Sequence, residues 1–324
     1  MGDQELLEIF QKELPEHVEV ETQFIIEDID ILSIDNQQLR KLPKQIGYFT
    51  NLRILYLNQN ELTTLPDSIG HLSFLEKLLL AENKIENLPG NIGKLVKLEE
   101  IDLAQNQLEI LPDQFADLSN LKRIDLSHNQ LTAFPTQLCQ IRSLEEIDLS
   151  DNKITEIPEE IANLENLKIL KLPNNQIKTV PQTIENLETL QVIDLHDNAI
   201  DTAPLGLRDL PALIDVNLTG NPVDTINTWY EGKFAVQKLI KYLRQYTRSE
   251  EVHTCPACGN SQPVGIIVCN NCEYQLDHCY VCKQGFTSRE KKLCPNCMAL
   301  FHEEHLGPVF KLTGKCPKCK HKMR

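Results

Sequence analysis

Aromatic residues are scarce in this chain, 6% of 324 residues with a single tryptophan. Basic residues are outnumbered, 32 Lys and Arg against 47 Asp and Glu, a net charge of −15 that argues against a general nucleic-acid binder. The one markedly basic stretch, KLTGKCPKCKHKMR from Lys311, has no aromatic-rich platform beside it on which bases could stack. No run is long and apolar enough to span a bilayer. The opening MGDQELLEIF has neither the basic start nor the apolar stretch of a secretory signal, and Gly2 is not followed by the Ser or Thr of a myristoylation site. Cysteine is almost missing from the first 254 residues, where Cys139 stands alone. There is no phosphate-binding glycine loop, no H-E-x-x-H helix and no supported Ser-His-Asp arrangement, so no enzyme nucleophile is in view. These absences point to a soluble protein of a reducing, cytoplasmic compartment.

The apolar residues that are present, 41% of the chain, allow a large core, and they are periodic. NLRILYLNQNELTTLP begins at Asn51; FLEKLLLAENKIENLP, KLEEIDLAQNQLEILP and NLKRIDLSHNQLTAFP follow at a constant 23-residue step. The frame starts at Ile29, Leu52, Leu75, Leu98, Leu121, Leu144, Leu167, Leu190 and Leu213, nine units in all. In each L-x-L, alternate residues leave a strand on one side, so Leu55 and Leu57 point inward together. One unit cannot bury these leucines alone; stacked units share a continuous core. Asn60, Asn83, Asn106, Asn129, Asn152, Asn175, Asn198 and Asn221 form one column, placed to satisfy backbone groups in the turn after each strand, with Gln37 in their place in the first unit. Pro43, Pro66 and Pro89 end that turn, and pairs such as Ile69 and Leu72 suit a short helix on the return.

The motif L-x-x-L-x-L-x-x-N-x-L resembles the leucine-rich repeat family, in the intracellular Ras-suppressor style with LPxxIxxLxxL between strands. The resemblance implies an α/β solenoid, a horseshoe of parallel strands, over residues 29–224. Members of that group often bind small GTPases or signalling proteins. Residues 1–28 are expected to cap the first unit, with a helix from Gln4 to Leu14 and a strand from Val18 to Ile26. Residues 225–249 are expected to cap the last, with Trp229, Phe234, Leu239, Ile240 and Leu243 at helical spacing. A column of variable residues would line the concave face: Ser33, Tyr56, Leu79, Asp102, Asp125, Asp148, Lys171, Asp194 and Asn217. Glu99, Glu100, Glu145, Glu146, Asp151 and Asp197 flank it, and Lys122, Arg123 and Lys168 interrupt the acid. One reading is a docking surface for a protein partner of basic character. The other is that Asp after the second leucine belongs to the repeat and the face is simply solvated.

The remaining ten cysteines all fall in C-x-x-C pairs within 255–319. With one His pair they give six ligand pairs: Cys255 and Cys258, Cys269 and Cys272, Cys279 and Cys282, Cys294 and Cys297, His302 and His305, and Cys316 and Cys319. Twelve ligands suit about three tetrahedral, structural zinc ions with no open position. Disulfides are the alternative, in an oxidising compartment. Residues 250–278 resemble a zinc ribbon. Residues 279–324 resemble a RING-type finger, similar to that of leucine-rich-repeat RING ubiquitin ligases. That resemblance implies one metal held by Cys279, Cys282, His302 and His305, and another by Cys294, Cys297, Cys316 and Cys319. It also implies a groove for a ubiquitin-conjugating enzyme formed by Val281, Val309 or Phe310, and Pro317, with Lys320 toward the ubiquitin. Cys297 stands where His is usual and His305 where Cys is usual; Gly314 replaces the Trp of a PHD finger. A non-enzymatic scaffold with a string of ribbons is the competing reading, since six pairs can be matched in fifteen ways.

Overall fold

The computed structural model describes residues 3–18, 28–201 and 204–222, together with four short strands between 252 and 302. The chain divides into two units, Met1–Pro222 and Val223–Arg324. The first opens with helix α1 (Asp3–Glu13) and continues into nine strands: β1 (Ile31–Ser33), β2 (Ile54–Tyr56), β3 (Lys77–Leu79), β4 (Glu100–Asp102), β5 (Arg123–Asp125), β6 (Glu146–Asp148), β7 (Ile169–Lys171), β8 (Val192–Asp194) and β9 (Asp215–Asn217). They form one parallel sheet in strict chain order. Each strand pairs with the next without slippage, so Leu55 lies beside Leu78 and Tyr56 beside Leu79.

The strands are only three residues long because the repeat needs one inward side chain from each. That central residue is buried throughout, from Leu55 and Leu78 to Ile193 and Val216, and the leucine two positions on (Leu57, Leu80, Leu195, Leu218) is buried with it. After each strand the chain turns through a residue with positive φ. Gln59, Glu82, Gln105, His128, Asp151, Asn174 and Asp197 lie between 51° and 57°, and Gly220 closes the series at 76°. The asparagine that follows each of these is buried. Asn129 represents the column. Its Oδ1 accepts the Leu108 N–H at 2.9 Å, and its Nδ2 donates to the carbonyls of Leu103 (2.9 Å), Leu126 (3.0 Å) and Ser127 (3.2 Å). One amide thus serves both its own turn and the preceding unit, and the pattern recurs from Asn60 to Asn221.

The return path is a short 3-10 helix after a proline. Pro66 is extended, lacks a donor, and offers its carbonyl to the Ile69 N–H at 3.0 Å; Leu72 then bonds Ile69 and Leu75 bonds Leu72. Successive returns stack closely at Gly70 and Gly93. A Cβ on Gly93 would sit 2.2 Å from the Gln114 carbonyl oxygen. The unit holding Cys139 is irregular: its helix is shortened to Leu138–Gln140, and Cys139 is buried there, its thiol pushed up to about 12 by desolvation and by Glu160.

At the open N-terminal end, Phe10 of α1 meets Phe49 edge-on, with ring centroids 4.9 Å apart, and Leu14 and Val18 are buried as well. The strand expected over Val18–Ile26 falls mostly outside the described residues, and the helical cap expected over 225–249 falls wholly outside them. In the second unit, β10 (Val252–Thr254) pairs antiparallel with β11 (Ser261–Pro263), and β12 (Lys291–Leu293) with β13 (Leu300–His302). No helix among the described residues is long and apolar enough to cross a membrane.

Candidate interaction surface

Because the strands are parallel and in register, each outward position becomes a straight column across the sheet. The third strand position reads Ser33, Tyr56, Leu79, Asp102, Asp125, Asp148, Lys171, Asp194 and Asn217, each beside the next. The nine column residues read from the sequence therefore stand together on one side of one sheet.

Each Asp of this column also has a local task. Asp102 Oδ1 accepts the Ala104 N–H at 2.9 Å, Asp125 the Ser127 N–H at 2.8 Å, Asp148 the Ser150 N–H at 3.1 Å and Asp194 the His196 N–H at 3.1 Å. These bonds brace the turn after the strand, which explains why the repeat favours Asp there. Each such bond uses one carboxylate oxygen; at Asp102 and Asp125 the other is left, so there the structural role and a docking role do not compete, whereas Asp148 Oδ2 is taken by Lys171.

The flanking acids are largely neutralised by neighbours one unit away. Arg53 holds Glu76 at 2.8 Å; Lys122 holds Glu99 at 2.9 Å; Lys168 holds Glu145 at 2.7 Å. Glu100 lies between Arg123 (2.7 Å) and Lys77 (3.0 Å). Burial alone would raise the Glu100 carboxyl, but its hydrogen bonds to Arg123 and Lys77 carry it below the usual range. Lys171 bridges Glu146 (3.0 Å) and Asp148 (3.2 Å), and His196 faces Asp194 at 2.7 Å. Within the column only Asp102 and Asp125 have no basic partner among the described residues. Desolvation, the neighbouring Asp125 and Glu100 together raise the Asp102 carboxyl, against the pull of its Ala104 bond. The first three units are different in kind, with Ile31, Ile54, Tyr56 and Leu79 forming an apolar stretch in which Ile31 is 53% exposed.

The sequence reading named the acidic column but missed this pairing. The signal was available: Arg53 and Glu76, Lys77 and Glu100, Glu99 and Lys122, and Glu145 and Lys168 are each separated by one 23-residue repeat.

Of the zinc ligands expected in the second unit, only His302 is described, and its backbone ends β13. In the ribbon-like part, Cys255, Cys258, Cys269 and Cys272 lie outside the described residues. In the RING-like part, Cys279, Cys282, Cys294, Cys297, His305, Cys316 and Cys319 lie outside them too. The same holds for the residues expected to meet a carrier enzyme, Val281, Val309, Phe310, Pro317 and Lys320. Among the described residues no cluster of three or more His, Cys, Asp or Glu could hold a metal.

Comparison with known proteins fits the first unit. The leucine rich repeat family matches residues 28–85, 73–131, 120–177, 142–200 and 165–223. The chain belongs to the leucine-rich repeat family. It is similar to a leucine-rich repeat protein of Leptospira interrogans, with 38% identity over 62% of this chain and a TM-score of 0.61. It also resembles the plant peptide hormone receptor RGFR1, solved in complex with RGF2, with 24% identity over 61% of this chain and a TM-score of 0.49. The chain spans 52% of the Leptospira protein and 38% of the plant receptor. No curated protein matches it. Solenoids of this family use extended concave surfaces for binding.

Proposed function

We propose that this chain is a protein-interaction receptor: the sheet face of its repeats takes up a protein partner, and its C-terminal segment is a RING-like ubiquitin-ligase module that acts on what is bound. The observation that carries the receptor reading is the unbroken outward column across all nine strands. It offers a broad, continuous face, suited to recognition rather than chemistry.

The ligase reading rests on the order of the ligand pairs and is supported by the second strand pair. β12 ends at Leu293, directly before Cys294, and β13 ends at His302. The connection between them therefore carries Cys294 and Cys297 and leads into the His pair. The donor set of thiolates and imidazoles suits zinc, which would supply folding energy on the order of 10 kcal/mol per site to a short segment. Val281, Val309, Phe310 and Pro317 would hold a carrier enzyme, and Lys320 its ubiquitin. Such a module forms no bond itself; it accelerates transfer by positioning the charged carrier. Zinc thiolate sites of this kind belong to a reducing, cytoplasmic setting.

One observation favours a second reading, a non-enzymatic scaffold. β10–β11 and β12–β13 are alike: each pair encloses a C-x-x-C that begins one residue after its first strand, Cys255 with Cys258 in one and Cys294 with Cys297 in the other. A string of sequential ribbons would have the same repetition, with Cys269 and Cys272 completing the first.

The test is ubiquitin transfer by the full chain with an activating enzyme and a panel of conjugating enzymes. Transfer that is lost in Val281→Arg, with zinc content retained, is the expected result. Absence of transfer with every conjugating enzyme would leave the scaffold.

A further inference from the structure

The neutralised part of the sheet face and the part left charged are not mixed at random. From β1 to β3 four of the six outward residues are apolar, with Ser33 and Lys77 the other two: Ile31 is 53% exposed, and Ile54, Tyr56 and Leu79 are half-buried. The basic residues around this stretch are engaged, Arg53 with Glu76 and Lys77 with Glu100. Immediately beyond it come Asp102 and Asp125, in register with Leu79 and with each other, the two column carboxylates that no Lys, Arg or His meets among the described residues. Further on, Asp148 and Asp194 are answered by Lys171 and His196.

We infer that β1–β5 form a discrete docking site for a protein segment that presents an apolar side chain about 10 Å from a Lys or Arg, the spacing of two strands. The apolar residue would rest against Ile54, Tyr56 and Leu79, and the cation would lie between Asp102 and Asp125. The occupant is chosen by charge complementarity. Apolar area supplies contact, and the unanswered carboxylates select a basic partner and reject an acidic one. Asp102 is costly where it stands, since burial and the neighbouring Asp125 and Glu100 work against its charge. An asparagine would brace Ala104 equally well, so the charge itself has no structural use in the free protein. This inference rests on the reading of the sheet face as a receptor surface.

The experiment is selection of a displayed library of random peptides, about twelve residues long, against the full chain. Each enriched peptide is then titrated against variants. Enriched peptides are expected to pair a Lys or Arg with an aromatic or large aliphatic residue and to bind more weakly as salt rises. The double variant Asp102→Asn/Asp125→Asn should lose roughly ten-fold or more in affinity, and Tyr56→Ser a similar amount. Glu145→Gln, at an ion-paired position, should leave affinity unchanged. Asp102→Asn should melt no lower than the parent, which separates lost binding from lost fold. Enriched peptides without basic residues, no enrichment at all, or equal affinity for the double variant would each overturn the inference. If binding falls instead with His196→Ala and Ile169→Ser, the receptor face stands and only its assignment to β1–β5 fails. If no variant on the sheet face matters, both fail.

Discussion

At the scale of the residue, the column asparagines do the most. Asn129 satisfies one buried N–H and three carbonyls with a single planar amide, and it joins two units by doing so. Removing it strands the Leu108 N–H in an apolar interior and leaves the Leu103 carbonyl with only its bond from Asn106. Asn129→Ala is therefore expected to cost roughly 1–3 kcal/mol, read from a lower urea midpoint; an unchanged midpoint would contradict the role. Asp102 is the opposite case. Its raised carboxyl means that the folded state binds a proton more readily than the unfolded chain, so its charged form subtracts stability above its folded pKa. Asp102→Asn should leave the melting temperature at neutral pH no lower than the parent's, and a lower one would contradict this account. Cys139 is a packing residue, and its thiol, at about 12, should stay unalkylated near pH 8 in the folded chain. Peptide mapping after iodoacetamide treatment would reveal any exception.

At the scale of the element, two glycines in one return path make a clean comparison. A Cβ at Gly93 meets the Gln114 backbone carbonyl at 2.2 Å, whereas one at Gly90 meets only the Gln114 side chain, at 2.8 Å. A side chain can rotate away; a stacked backbone cannot. Gly93→Ala should cost roughly 1–3 kcal/mol and Gly90→Ala clearly less, measured by denaturation. The ion-pair rungs predict a pH dependence. Glu145, through its bond to Lys168, and Glu100, despite burial, titrate below the ordinary range. Their contribution is present above the unfolded carboxylate pKa and fades as pH falls through the lower folded values. Replacing both with Gln should flatten the loss of stability on acidification below about pH 4.5. Much of this element scale was legible in advance. A 23-residue period places strand, buried asparagine and proline-led return in every unit, because each follows from the same need to bury leucines between neighbours. The short return helices were expected from Ile69 and Leu72. The positive-φ residues were not, because Gln59, Glu82 and Gln105 carry no signature of left-handed backbone; the turn imposes it. Tyr56 and Leu79 of the apolar stretch were legible in the repeat column; Ile31 and Ile54, which pair at the first strand position, were not read as part of that face.

At the scale of the whole molecule, a repeat array of the leucine-rich family is joined in one chain to a segment dense in soft metal ligands. The array is legible because its information is repeated nine times and each copy checks the others. The second unit is less so: C-x-x-C spacing names ligands, while the pairing depends on three-dimensional crossing that spacing alone does not dictate. About three zinc ions per chain are expected by elemental analysis, from twelve ligands at four per site. Their pairing decides between ligase and scaffold. The measurement to make is cadmium-113 substitution of the full chain, with through-bond couplings traced from each metal to its Cys and His ligands. A metal shared by Cys279, Cys282, His302 and His305 is expected, with Cys294, Cys297, Cys316 and Cys319 on another and Cys255, Cys258, Cys269 and Cys272 on the third. A metal joining Cys279 and Cys282 to Cys294 and Cys297 would contradict the RING-like module and leave a receptor with a chain of structural ribbons.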